Sequence, residues 1–154
     1  MKSTVINNKI LAIDFGEKHV GLAITDAGAN LVFGRGEIRG QKSLEGIFKA
    51  VADVVNGEDV VRVVFGIPES KDGLKGTQSE RMINIGKRLG LYLKKSSPGV
   101  EVVFQDESFS SYEARSFIKD TGISGYGTKH SEHEVAAMII LNKYLLEREL
   151  KNGE

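Results

Sequence analysis

The sequence has no cysteine, no tryptophan and no excess of either charge, and none of its apolar runs approaches the length of a membrane span. Without cysteine, disulfides and thiolate metal sites are both excluded, and a reducing compartment suits the chain. Lysine plus arginine equals aspartate plus glutamate at 21 each, which argues against a dedicated basic coat for nucleic acid. An enzyme acting on nucleic acid remains open, because a local basic patch or a bound cation can supply the positive field. A bilayer span needs roughly 20 apolar residues. The N-terminus shows no charged-then-apolar leader, since Lys2 is followed by Asn7, Asn8 and Lys9 and then by Asp14. The cytoplasm is the expected location.

What is present is ordinary globular composition: 154 residues, 40% hydrophobic and 27% charged, enough for one domain over 1–154 with a real core. The polar tail, 147–154, is expected to fray. Ile10 to Ile13 form an apolar run ending in Asp14, and Val20 to Ile24 form a second ending in Thr25 and Asp26. Two short apolar runs joined by a glycine-containing turn, Phe15 to His19, read as a hairpin from the middle of a sheet. A carboxylate at the end of a buried strand needs a partner, a hydrogen bond or a metal. At this point Asp14 is equally readable as a turn residue bonded to its own backbone.

Leu31 to Arg39 predict a third strand whose Gly34 and Gly36 suggest a bulge or an edge. Ser43 caps a helix with Leu44, Ile47, Phe48, Val51 and Val55 inward, and Gly57 stops it. Val60 to Phe65 and Val100 to Phe104 predict β-branched, doubly buried strands. Between them, Thr77 and Glu80 form a capping box for a helix with Met82, Ile85, Leu89 and Leu93 as its inner stripe, where Gly86 and Gly90 allow close packing. Ser110 with Glu113 opens a further short helix to Gly122, residues 122–129 form a glycine-rich loop, and Ser131 with Glu134 caps a last helix carrying Val135, Met138, Ile139, Leu141 and Leu145. In that last helix, Ala136 and Ala137 are small enough to let it lie close on the sheet.

A three-strand antiparallel meander followed by alternating helices and strands implies an α/β fold with two parallel additions. Right-handed crossovers then put the fourth strand beside the first and the fifth outside it, for the order 3-2-1-4-5. Ligands in such sheets bind beyond the carboxyl ends of strands where the order switches. Asp14, Gly66 and the pair Asp106-Glu107 all lie at strand ends opening there, and this convergence favours a site. Clustered carboxylates without cysteine favour hard divalent cations such as Mg²⁺ or Mn²⁺, and two ions roughly 3.5–4 Å apart suit phosphodiester hydrolysis. A sugar-cleaving carboxylate pair is disfavoured by the lack of tryptophan. The loop after Pro68 carries no Walker pattern.

Four segments, LAIDFGEKHVGLAITD, VVFGIPESKDG, FQDESFSSYEA and GTKHSEHEVAAMIIL, resemble in order the conserved blocks of the YqgF/RuvX family, over Ile10 to about Leu146. These are RNase H-like proteins described first as Holliday junction resolvases and then as nucleases trimming the small-subunit ribosomal RNA precursor. The resemblance implies an RNase H-like sheet with a metal-dependent acidic site, in which Asp14 matches the strand-one aspartate and Glu107, with Asp106 beside it, matches the acid of an Asp-Glu-Arg block. Three positions depart from the family pattern. His133 stands where the third acid is usual, Ser108 where the arginine is usual, and His19 where a basic residue follows the turn lysine, Lys18.

If Ser131 is the cap, His133 lies in the first helical turn, where the helix dipole favours neutral imidazole, able to bind a metal or take a proton. Asp14, Glu107 and His133 are thus the candidate catalytic residues and, with Asp106, the candidate metal ligands. Lys18, His19, Lys71 and Lys129 are the candidates for holding phosphates. Glu134, beside His133, is accounted for by its capping box. The expected partner is precursor rRNA. Branched DNA is the second option and would require a dimer, and a nucleic-acid-binding module without catalysis is the third. The chain is expected as a monomer or weak dimer.

Overall fold

Strand β1, Ile10–Phe15, is buried at every position up to Asp14, and the chain folds around it. A computed structural model describes residues 7–16, 18–68, 77–107 and 131–152. Next to β1 runs antiparallel β2, His19–Thr25, and outside that lies antiparallel β3, Val32–Arg39. Helix α1, Leu44–Gly57, crosses to β4, Arg62–Pro68, which pairs parallel with β1. Helix α2, Thr77–Ser96, leads to β5, Glu101–Glu107, parallel to β4. The last helix, α3, covers Glu132–Asn152. The sheet order is β3-β2-β1-β4-β5, the order that the crossover rule requires.

Strand alternation sorts the core onto two faces. Leu11, Ile13, Val63 and Phe65 pack with Phe48, Val51, Leu89 and Leu93 under α1 and α2. Ile10, Ala12, Ala23 and Val64 pack with Ala137, Met138, Ile140 and Leu141 under α3. The predicted inner stripe of α2 is buried throughout. Gly86 meets Phe104 so closely that an added Cβ would lie 2.4 Å from its ring, so this glycine does permit close packing. No helix among the described residues is long and apolar enough to cross a membrane.

Several boundaries differ from those expected. The strands run further than the apolar runs, so Asp14, Gly66, Asp106 and Glu107 lie inside strands rather than past their ends. Backbone pairing continues through Ile67↔Asp106 and Pro68↔Glu107 regardless of side-chain polarity. Ser43 does cap α1, accepting the Gly46 N–H at 3.1 Å, but the left-handed residue after that helix is Asp59, at φ 58°, not Gly57. Edge strand β3 carries the expected irregularity, a register shift against Gly21 and Ala23 of β2. The tail expected to fray continues as helix to Asn152. The short helix after Ser110, the loop 122–129, Ser108, Lys71 and Lys129 lie outside the described residues.

Candidate active site

The site begins with a missing side chain. Asp14 pairs across the hairpin with Gly21, and the first turn of α3 rests directly on that glycine. A Cβ at Gly21 would lie 2.0 Å from the His133 carbonyl oxygen and 2.7 Å from the Glu134 nitrogen. Glycine inside a strand marks such a close backbone approach. Ser131 caps the helix there, its hydroxyl accepting the Glu134 N–H at 3.1 Å. Cap and contact together aim His133 at Asp14, with Nδ1 3.0 Å from Oδ2.

Asp14 is 9% exposed, and an ionised carboxylate only accepts hydrogen bonds. His133 Nδ1 is within hydrogen-bond distance of that carboxylate and donates to it in the tautomer that carries the proton there. The hairpin turn supports the ring from below. Gly16 donates its N–H to the His19 carbonyl at 3.0 Å, and a Cβ at Gly16 would lie 2.8 Å from His133 Cε1.

A second group of polar residues continues outward from this pair. The His19 ring lies 6.1 Å from that of His133, tilted at 45°, and its Nδ1 is 3.7 Å from Glu37 Oε2. The Glu37 side chain is only 6% exposed and accepts Arg39 Nε at 2.8 Å. Burial pushes the Glu37 carboxyl upward, but the Ser131 hydroxyl, Arg39 and the nearby His19 outweigh it and hold it below its ordinary value. Ser131 thus joins the helix cap to the β3 carboxylate. Glu134 is buried, and its carboxylate accepts the Gly36 N–H of β3. The capping box is met in its serine half, while this second carboxylate also ties α3 to the sheet edge.

Of the residues singled out in the sequence, Asp14, His133 and His19 come together. Lys18 is exposed at the turn beside them. Asp106 does not join them. Phe104 packs against Phe65 on the α1–α2 face, and Gln105 reaches Glu147 of α3 at 3.2 Å on the other. Alternation gives position 106 the parity of Phe104. Asp106 is therefore on the face opposite Asp14, and it is its backbone carbonyl that takes Lys143 Nζ of α3, at 3.3 Å. Glu107 is the last residue of β5, two strands from β1 in the sheet.

Among the described residues no three His, Asp or Glu side chains converge as a metal cluster. The donor set is Asp14 and His133, with Glu107 the remaining candidate. A carboxylate oxygen and an imidazole nitrogen lying 3.0 Å apart are donors of the kind a divalent cation takes, so these two residues fit such an ion. Glu37, Arg39 and Gly21 were not singled out in the sequence. The lone glycine within the apolar run Val20 to Ile24 was the available signal for Gly21. Glu37 and Arg39 become visible only once the β2–β3 register sets His19 opposite Arg39.

A family model described as RuvX, Holliday junction resolvase, matches residues 8–147. A protein of Malacoplasma penetrans is 31% identical over 140 residues, covering 91% of this chain and 95% of its own. One from Caldanaerobacter subterraneus subsp. tengcongensis is 33% identical over 138 residues, covering 89% and 95%. Both are provisionally named pre-16S rRNA nuclease. Among solved structures, Thermus thermophilus RuvC in complex with a Holliday junction substrate superposes with a TM-score of 0.66 at 14% identity, covering 94% of this chain and 96% of that one. That likeness establishes the RNase H-like fold.

Proposed function

The chain belongs to the RuvX family, and from that premise we propose that it is a divalent-metal-dependent nuclease acting on structured RNA in maturation of the small-subunit rRNA precursor. The observation that carries this reading is the buried Asp14 carboxylate with His133 Nδ1 at 3.0 Å, at the switch point of the sheet. The names of the relatives support RNA as substrate. Asp14, His133 and Glu107 would hold the cation, which supplies Lewis acidity at the scissile phosphate and a nucleophile at neutral pH. The protein's own share is to position these groups. Asp14 fixes the ring of His133, and Gly21 and Ser131 fix the helix that carries it. Lys18, exposed at the turn, and His19, whose ring lies 6.1 Å from that of His133, would hold a phosphate flanking the scissile bond. As an alternative to ligating the cation, His133 would carry a proton through Nε2 while Nδ1 stays with Asp14.

The test is cleavage of a precursor rRNA with Mg²⁺ and with Mn²⁺. Imidazole in the ligand set predicts Mn²⁺ activity at least equal to that with Mg²⁺, and clear Mg²⁺ preference removes His133 from the ligands. Asp14→Asn abolishes cleavage and spares binding. A wild type that binds RNA without cutting it with either ion would make the protein a non-catalytic binding module. Preferential cutting of a four-way DNA junction, by a species that sediments as a dimer, would assign it to junction resolution.

A further inference from the structure

We propose that the groove between α1 and α2 is a track for a single strand of nucleic acid leaving the Asp14 site. The inference rests on the nuclease reading for its ligand and on the groove for its location. Three clefts run end to end along this seam. The first, about 330 Å³, opens at Phe15 and Gly16, immediately after Asp14, and is flanked by Lys42 and Arg81. The second, about 400 Å³, shares Arg81 with it and extends to Arg88. The third, about 990 Å³, shares Arg88 and ends at Leu91, Tyr92, Lys94 and Lys95.

The charge is concentrated here in a chain whose formal net charge is zero. Helix α2 carries five basic residues against the single acid Glu80. Arg81, Asn84, Arg88, Leu91 and Lys95 are all exposed, and steps of three and four residues put them on one helix face. From Arg81 to Lys95 this stripe is about 21 Å long. Glu45 and Glu80 also line the groove, but five cations outnumber them. At the far end Leu91 is 64% exposed beside Tyr92, whose ring packs on Phe48 at 5.8 Å.

A positive groove with an apolar and aromatic floor is the chemistry that follows a phosphodiester backbone and takes unpaired bases. A second copy of this chain docked by two-fold symmetry would set the stripe's cations against themselves, which disfavours self-association through this face. Asp14 faces α3, so a strand cut there would pass over the end of the sheet at Phe15 and Gly16, which line the first cleft, to reach the groove.

The test is binding of a labelled uridine oligomer of about 12 nucleotides, measured by fluorescence anisotropy on the Asp14→Asn chain. Arg81→Ala/Arg88→Ala/Lys95→Ala should weaken binding at least about tenfold and reduce the salt slope by about 2, with helix content and Tm retained. Removing Arg148 and Lys151, on the helix of the other sheet face, should change affinity less than twofold. A deoxyuridine oligomer distinguishes RNA from DNA in the same groove, and either nucleic acid bound in this cation-dependent way supports the track. Tight oligomer binding that ignores the three cations overturns the groove and leaves the nuclease reading standing. No binding of any oligomer or precursor RNA overturns both. A glutamate peptide that outcompetes the oligomer at the same cations would reassign the groove to an acidic protein and overturn the proposal.

Discussion

The two faces of this sheet are packed by different means. Under α1 and α2 the contacts are large and apolar, with Phe48, Phe65, Leu89 and Leu93 filling the space between sheet and helices. Under α3 the sheet presents Ala12, Ala23, Gly21 and Gly66 to Ala137 and Ile140, so helix backbone and strand backbone approach each other. On the first face bulk fills distance and stabilises the fold. On the second, small residues remove distance, and that brings the helix's first turn, with His133, within hydrogen-bonding reach of Asp14. The bulk of the core and the candidate site are thus divided between the two sides of one sheet.

The sharpest way to break this division is a pair of variants. Gly21→Ala drives a methyl group into the His133 carbonyl and must lift α3, so cleavage should fall about 10²-fold through misplacement of the site, with a destabilisation of about 1–3 kcal/mol. Leu89→Ala should destabilise by about 2–5 kcal/mol yet leave cleavage by the folded protein unchanged. Denaturation curves and kcat measured well below Tm check both, and equal losses of kcat would dissolve the distinction.

A milder perturbation is Ser131→Ala, which removes a helix cap and a hydrogen bond to Glu37. The expected cost is about 1 kcal/mol, with a drop in kcat at unchanged substrate affinity, because the helix start carries the site. A loss confined to stability would mean that Gly21 alone positions His133.

The smallest effect concerns pH. Glu37 has its folded-state pKa below the ordinary 4.5. The stability it contributes is therefore complete above about pH 4.5 and is lost as pH falls through the lower folded value. Tm followed from about pH 6 down to about pH 3 should decline more steeply for the wild type than for Glu37→Gln. Parallel curves would show that Glu37 is no tighter bound to its partners than in the unfolded chain.

Much of the architecture was legible because apolar runs and crossover handedness are local and topological rules. Val60 to Phe65 and Val100 to Phe104 announce strands, and the order follows from the helices between them. Asp14 was legible because a carboxylate closing an apolar run is costly without a partner. His133 could be placed opposite it only through resemblance to the family, since nothing in the neighbourhood of residue 133 refers to residue 14. The facing of Asp106 is not legible from hydrophobicity, because the apolar run stops at Phe104 while the ladder runs on through Ile67↔Asp106 and turns that residue to the face of Phe104. Glu37 and Arg39 depend on a register that shifts between Gly21 and Ala23, and Glu134's bond to Gly36 spans 98 positions. No periodicity encodes either.

The contact between Asp14 and His133 joins residues 119 positions apart, and this has a consequence in time. The hairpin bearing the carboxylate is made early, but the imidazole arrives with the last helix. During synthesis every intermediate that lacks a docked α3 also lacks this pair, so the candidate site is complete only with that long-range contact.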